Sequence, residues 1–250
     1  MARFNPSPFK GEVGRGMGFS VPKNMLHFNP TPTLTLPLKG RGLFQQAVSG
    51  LYAITPDEAD TAELLRKVRL ALLGGARVVQ YRNKIAAAAL RREQAEALRE
   101  LTREFAVPLI INDDAALAQQ VAADGVHLGG ADGGVADARA LLGAGKIIGV
   151  SCYNRLASAH EAVRLGADYV AFGSFFSSTV KPDAVVATPD LLRQARRELA
   201  VPLVAIGGID AQNGAQLLEA GANALAVISA VFSAPDIQQA ARQFSNLKFH

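Results

Sequence analysis

The chain has 250 residues, 49% of them hydrophobic and 19% charged, enough for one α/β barrel or two small domains with a large core. No run of eighteen apolar residues occurs, so no membrane partner is expected. The formal charge of +4 does not point to nucleic acid: residues 1–43 hold Arg3, Lys10, Arg15, Lys23, Lys39 and Arg41 against Glu12 alone. Their surplus of five leaves residues 44–250 within one charge of neutral, with no basic stripe interleaved with stacking aromatics. A single cysteine, Cys152, excludes an internal disulfide and fits a cytoplasmic location.

Residues 1–43 are rich in Pro, Gly, Asn and Lys and lack helical or strand periodicity. Two stretches resemble each other, Asn5-Pro-Ser-Pro-Phe-Lys-Gly and Asn29-Pro-Thr-Pro with Leu36-Pro-Leu-Lys-Gly. Such composition cannot bury enough apolar surface to offset chain entropy. It also lacks the apolar core of a signal peptide. The expectation is a disordered leader over 1–43, or a start assigned too far upstream, and a catalytic barrel domain over 44–250.

From Gly50 onward short β-branched runs alternate with helix-length segments. The pattern predicts strands at Leu51–Thr55, Val78–Arg82, Leu109–Asn112, Gly125–Leu128, Ile147–Ser151, Tyr169–Gly173, Leu203–Ile206 and Leu225–Ile228. Between the second and third strands, Leu90, Ala97, Leu98, Leu101 and Phe105 recur at helical spacing, with Arg91, Arg92, Glu96, Arg99 and Arg103 on other faces. Gly74-Gly75-Ala76-Arg77, Ala123-Asp124-Gly125, Gly166-Ala167-Asp168 and Gly221-Ala222-Asn223 read as helix caps leading into strands. Strand–helix alternation repeated eight times predicts a single (β/α)₈ TIM barrel. The competing open sheet would carry a Gly-x-Gly-x-x-Gly turn after the first strand, where Thr55-Pro56-Asp57-Glu58 stands.

In such barrels the site is built from C-terminal strand ends. Strand two ends in Gln80-Tyr81-Arg82-Asn83-Lys84; alternation sends Gln80, Arg82 and Lys84 to one side, which suits pyrophosphate. After strand three, Asp113 and Asp114 are candidates for a hard cation or for a helix cap. Asp132 follows strand four, and two carboxylates with substrate phosphate would suit magnesium. His127 reads as a satisfied core histidine. Ser151 offers a hydroxyl at the mouth without a serine-nucleophile arrangement, and Cys152 reads as a small buried side chain. After strand six comes a hydroxyl-rich loop through Ser178, Thr179 and Val180 to Lys181. Gly207-Gly208 and Ile228-Ser229, after strands seven and eight, read as a backbone phosphate cradle.

These segments, in this order, together resemble the thiamine-phosphate synthase family over about Gly50 to Ser233. The resemblance implies that a hydroxymethylpyrimidine pyrophosphate is joined to a thiazole phosphate, giving thiamine phosphate and pyrophosphate. By position, it places Gln80, Tyr81, Arg82, Asn83, Lys84, Asn112, Ser151 and Lys181 on the pyrimidine substrate, with Arg82, Ser151 and Lys181 serving the chemistry. Mg²⁺ would be held by Asp113 and Asp132. Gly208, Ile228 and Ser229, with Ser178, Thr179 and Val180, would take the thiazole phosphate. The chain departs from the family pattern at Ser177 and Val180, where a proline and a threonine are usual, and at Gly130-Ala131 before Asp132. The alternatives are a thiazole tautomerase, which would not need the full cationic set with both aspartates, and a non-catalytic thiamine-phosphate-binding barrel, whose only support is the altered loop after strand six.

Overall fold

The computed structural model describes residues 48–129, 134–176 and 186–248. The expected leader and the segments carrying Asp132 and Ser178 to Lys181 lie outside them. Among the described residues, eight parallel strands form a closed barrel in chain order. They are β1 (Gly50–Ile54), β2 (Val78–Tyr81), β3 (Leu109–Asn112), β4 (Gly125–Leu128), β5 (Ile147–Tyr153), β6 (Tyr169–Phe172), β7 (Leu203–Ile206) and β8 (Ala224–Val227). The ring closes because Gly50 to Ala53 pair with Ala224 to Val227. The expected strands fall within two residues of these bounds. The largest departure is β5, which runs past Ser151 to Tyr153 with a register irregularity against β6.

The helices α1 (Thr61–Leu73), α2 (Ala88–Glu104), α3 (Ala115–Gln120), α4 (Val135–Leu142), α5 (Leu156–Arg164), α6 (Pro189–Glu198) and α7 (Gly214–Glu219) alternate with the strands. Two more, α8 (Ser229–Phe232) and α9 (Ile237–Ser245), follow β8. In α1, Leu64, Val68, Ala71 and Leu72 recur on one face and are buried; Asp60 caps its start by accepting from the Glu63 N–H.

Strand alternation separates two cores. Outward residues such as Leu51, Val79, Ile111 and Leu225 pack under the helices. Inward residues, among them Tyr52, Val78, Ile110, Ile147, Tyr169 and Val204, fill the barrel. Gly149 is inward because a Cβ there would overlap the Tyr169 ring.

The recurring phrase before the strands has a fuller explanation than a simple turn. Gly75, Ala122, Gly166 and Gly221 all take positive φ. The alanines that follow, Ala76, Ala123, Ala167 and Ala222, are buried and donate back five residues to helical carbonyls, the Schellman closure. The next residue then ties the incoming strand to the preceding one. Asp124 accepts from the Leu109 N–H at 2.8 Å, Asp168 from the Ile148 N–H at 2.8 Å and Asn223 from the Leu203 N–H at 2.9 Å. Both carboxylates are neutralised by a helix arginine, Asp124 by Arg99 at 2.5 Å and Asp168 by Arg139 at 2.6 Å. The small polar residue is therefore a strand-to-strand clamp at the N-terminal end of the barrel.

Asp168→Ala removes a buried charged acceptor, so unfolding by denaturant should show a loss on the order of 2 kcal/mol. Asp190→Ala breaks only an exposed i,i+3 pair with Arg193 and should change stability by less than about 0.5 kcal/mol.

Candidate active site

The C-terminal end of β2 is held in shape by residues that follow β1. The Thr55 hydroxyl accepts from the Arg82 N–H at 2.8 Å and donates to the Arg82 carbonyl at 2.9 Å. Asp57 Oδ1 accepts from the Lys84 N–H at 2.8 Å and lies 3.3 Å from Arg82 Nη1. Arg82 is thus fixed at both its backbone and its guanidinium, at the rim rather than free in solvent. The segment read only as evidence against a dinucleotide turn is the frame for the cationic residues.

The five residues of this strand end divide between two layers. Gln80 points into the barrel and is buried. Tyr81 and Asn83 turn their polar atoms the other way: both bond to buried Gln94 Oε1 of α2, at 2.8 Å and 3.0 Å. Asn83 also donates to the Glu58 carbonyl at 2.7 Å, as does Gln94 at 2.9 Å. Burial raises the Tyr81 phenol to about 12, which suits a hydroxyl that donates to an amide. In the structure these two side-chain polar groups brace the strand end against α2, while Arg82 and Lys84 line the rim cleft.

A cleft of about 470 Å³ opens at the rim between β2 and β3, lined among others by Arg82, Lys84, Arg91, Asn112, Asp113 and Asp114. Arg91 had been placed on a helix face away from the core. It instead brings a third cation to the cleft, with an ion pair to Asp114 at 3.9 Å. The two aspartates have separate tasks. Asp114 caps α3, its Oδ1 accepting from the Leu117 N–H at 2.8 Å. Asp113 sits at φ 62°, a left-handed conformation that Asp tolerates better than most side chains. Its N–H bonds the His127 carbonyl at 2.8 Å, and its Oδ2 accepts from Asn112 Nδ2 at 2.6 Å. A carboxylate that accepts from an amide and lines a cleft shared with Arg82, Lys84 and Arg91 is chemically suited to share a hard cation with a phosphate.

Inside the barrel below this rim, Tyr52 and Tyr169 place their hydroxyls 2.8 Å apart. Gln80 Nε2 donates to Tyr52 Oη at 2.8 Å. His127 Nδ1 lies 2.9 Å from Tyr169 Oη, and its Nε2 lies 2.8 Å from Ser151 Oγ. The core-histidine reading of His127 therefore holds, with both ring nitrogens partnered; burial lowers it to about 4, leaving it neutral at pH 7. Cys152 is buried, its thiol raised to about 12. Neither tyrosine was singled out in the sequence; the available signal was a large hydroxyl-bearing residue at an inward position of β1 and of β6.

On the opposite side of the mouth, Gly207 and Gly208 follow β7 at φ 105° and 63°. The start of the segment after β6 docks on them: Phe175 N–H bonds the Ile206 carbonyl at 3.3 Å and Phe176 N–H that of Gly207 at 3.0 Å. A Cβ on Gly207 would overlap Ser174. Ile228 leads into α8, which starts at Ser229 with an exposed side chain. The structure thus gathers Gln80, Arg82, Lys84, Asn112, Asp113, Ser151, Gly208, Ile228 and Ser229 at the strand ends of one mouth. Among the described residues no cluster of three or more His, Cys, Asp or Glu side chains suits a metal, and Asp132, Ser178, Thr179, Val180 and Lys181 lie outside those residues. No described helix is long and apolar enough to cross a membrane.

A closed barrel with a cationic, carboxylate-bearing cleft on one side and a glycine-lined turn on the other defines a phosphate-handling barrel of the TIM class. A family model described as thiamine monophosphate synthase matches residues 51–231. A thiamine-phosphate synthase of Nitrosospira multiformis is 54% identical over 203 residues, 81% of this chain and 87% of that protein. One from Methylobacillus flagellatus is 55% identical over 200 residues, covering 80% and 95%. The solved thiamine phosphate pyrophosphorylase from Pyrococcus furiosus superposes with a TM-score of 0.72 at 36% identity, covering 81% of this chain and 95% of that one. The chain belongs to the thiamine monophosphate synthase family.

Gly207→Ala combines a positive φ with a steric overlap, so it should lower stability by roughly 1–3 kcal/mol in denaturant unfolding. Asp114→Ala should cost about 1 kcal/mol as a lost helix cap, measured in the same way.

Proposed function

We propose that the chain joins 4-amino-2-methyl-5-hydroxymethylpyrimidine pyrophosphate to thiazole phosphate, releasing thiamine phosphate and pyrophosphate. As a member of its family it is a transferase of thiamine biosynthesis, acting on small molecules. The observation that carries the finer reading is the gathering of Arg82, Lys84, Arg91 and Asp113 along one cleft. Three cationic side chains beside a carboxylate suit a polyanion that brings its own cation, not a neutral substrate.

Asp113, with Asp132, is proposed to hold Mg²⁺ against the pyrophosphate. The ion supplies neutralisation of negative charge as the leaving group departs. Magnesium accepts one or two carboxylates when phosphate and water complete its shell, which this donor set fits. Arg82 and Lys84 bind the same oxygens; Thr55 and Asp57 hold both backbones and the Arg82 guanidinium in advance, which limits reorganisation when charge develops. Gln80, Asn112 and Ser151 orient the pyrimidine, and Lys181 adds a further cation. The bond from the pyrimidine methylene to pyrophosphate oxygen breaks first, pyrophosphate taking the electron pair. The pyrimidine-stabilised cation is then captured by the thiazole nitrogen, forming the new C–N bond. The thiazole phosphate is assigned to Gly208, Ile228 and Ser229 with Ser178, Thr179 and Val180. No serine nucleophile or general base is required, in keeping with a neutral His127 whose two nitrogens are both engaged.

In a coupling assay with both substrates and magnesium, the wild-type protein should form thiamine phosphate. Arg82→Ala and Asp113→Ala should each lose at least about a hundredfold in kcat/KM, in the range of a lost electrostatic contact to developing charge. Chelation should abolish turnover and added magnesium restore it. Turnover by Asp113→Ala at the wild-type rate, or turnover unaffected by chelator, would refute the assignment.

A further inference from the structure

The hydrogen bonds inside the barrel form one unbranched chain across five strands: Gln80 on β2, Tyr52 on β1, Tyr169 on β6, His127 on β4 and Ser151 on β5. Its links measure 2.8, 2.8, 2.9 and 2.8 Å. Tyr52, Tyr169 and His127 are almost wholly removed from solvent, at 1%, 0% and 8% exposure. Buried polar atoms of this kind must be satisfied by one another. The rings hold their places by packing: the tyrosines meet edge to face at 6.1 Å, and His127 stacks on Tyr169 at 5.6 Å.

Counting protons along the chain gives a strong constraint. Each tyrosine has one hydrogen to give, and a neutral imidazole has one. Gln80 Nε2 donates to Tyr52, so the buried Tyr52 hydrogen is used only if it points to Tyr169, 2.8 Å away. The Tyr169 hydrogen must then point to His127 Nδ1. The imidazole hydrogen is left on Nε2 and is donated to Ser151 Oγ. The Ser151 hydrogen has no place in the chain and remains for the mouth, while Gln80 Oε1 remains an acceptor. If the Gln80 amide turned over, all four links would have to reverse together. Ser151 would become an acceptor for a ligand, and Gln80 a donor. A mixed state leaves a link without a hydrogen, gives it two, or strands the buried hydrogen of a tyrosine that accepts from both neighbours. Burial keeps both phenols protonated, so no missing tyrosine proton relaxes this rule.

We propose that Tyr52, Tyr169 and His127 are positioning residues forming a proton-ordered relay, which locks Gln80 and Ser151 into opposite hydrogen-bonding roles and so selects an aminopyrimidine over its oxo counterpart. An aminopyrimidine offers an exocyclic amino donor and a ring-nitrogen acceptor. These match the Gln80 acceptor and the Ser151 donor. The 4-oxo analogue presents a carbonyl acceptor and a ring N–H donor, the reverse at both positions, so it fits only the reversed chain with the Gln80 amide turned over. A lone glutamine or serine could rotate to suit either ring. Tied through three buried groups, neither can turn without the other. The selectivity rests on the proposed pyrimidine contacts of Gln80 and Ser151; the ordering of the relay does not.

The test has two arms. Nitrogen-15 NMR of the wild-type protein without substrate should show His127 as a single neutral tautomer, protonated on Nε2. Tyr169→Phe, which keeps the ring and removes the central hydroxyl, should shift it to a mixture. In the second arm, kcat/KM is compared for the 4-amino and 4-oxo pyrimidine pyrophosphates. Tyr169→Phe and Tyr52→Phe should each reduce the preference for the amino compound by roughly tenfold, about the effect of one misdirected hydrogen bond. The KM for thiazole phosphate should stay unchanged. If either variant fails to fold, the other and the wild-type spectrum still decide. A mixed or Nδ1-protonated wild-type imidazole would overturn the relay. Unaltered discrimination in a folded variant would overturn its role in selectivity. A wild-type protein that turns over neither pyrimidine would instead refute the proposed reaction and its selectivity, with the tautomer still judging the relay.

Discussion

Closure of the sheet is the constraint on which the rest of the molecule depends. Parallel pairing of Gly50–Ala53 with Ala224–Val227 removes both sheet edges and turns eight separate inward faces into one shared interior. Tyr52 and Tyr169, 117 residues apart, can then touch. Closure also brings every C-terminal strand end to one mouth, where residues from remote parts of the chain meet a common ligand. The opposite end is secured by Asp124, Asp168 and Asn223, each clamping one strand start to the next. Stability and chemistry are thus divided between the two ends of the barrel.

At the mouth the same economy recurs at smaller scale. Thr55 and Asp57 spend their hydrogen bonds on Arg82 and Lys84, and Gln94 gathers Tyr81, Asn83 and the Glu58 carbonyl. None of these partners carries the excess charge of the cleft. Their effect is to fix the strand-end backbone and the Arg82 guanidinium in advance, the condition under which electrostatic stabilisation is most effective. In the proposed reaction the interior polar chain would do for the pyrimidine ring what these groups would do for the pyrophosphate: fix the direction of a bond in advance.

Much of the fold was legible because it is local. β-branched runs, helix-spaced leucines and glycine-ended helices repeat at each unit, and all eight expected strands are present. The rim residues could also be read, since strand polarity and the barrel rule locate them. Alternation places Gln80 inside the barrel, bonded to Tyr52, and turns Tyr81 and Asn83 to Gln94, but Tyr81, Arg82, Asn83 and Lys84 all line the rim cleft together. What could not be read was long-range pairing. Nothing near Thr55 reveals that its hydroxyl will meet the Arg82 backbone, 27 residues on. Gln94 looks like any polar residue on an amphipathic helix until Asn83 and Tyr81 arrive beside it. Arg91 lay one helical turn from the predicted apolar stripe, and only the packing of α2 over β2 directs it to the cleft. The clamping role of Asp124 and Asp168 was hidden for the same reason: a turn residue and a strand tie share one sequence signature.

The account centres on a cleft that binds pyrophosphate together with magnesium through Arg82, Lys84 and Asp113. Calorimetric titration of inorganic pyrophosphate into the full-length protein, with and without magnesium, tests this most directly. The account predicts saturable one-to-one binding that weakens at least about tenfold when magnesium is withheld, as expected for a carboxylate–cation–phosphate contact. Binding of equal strength with and without the ion would contradict it.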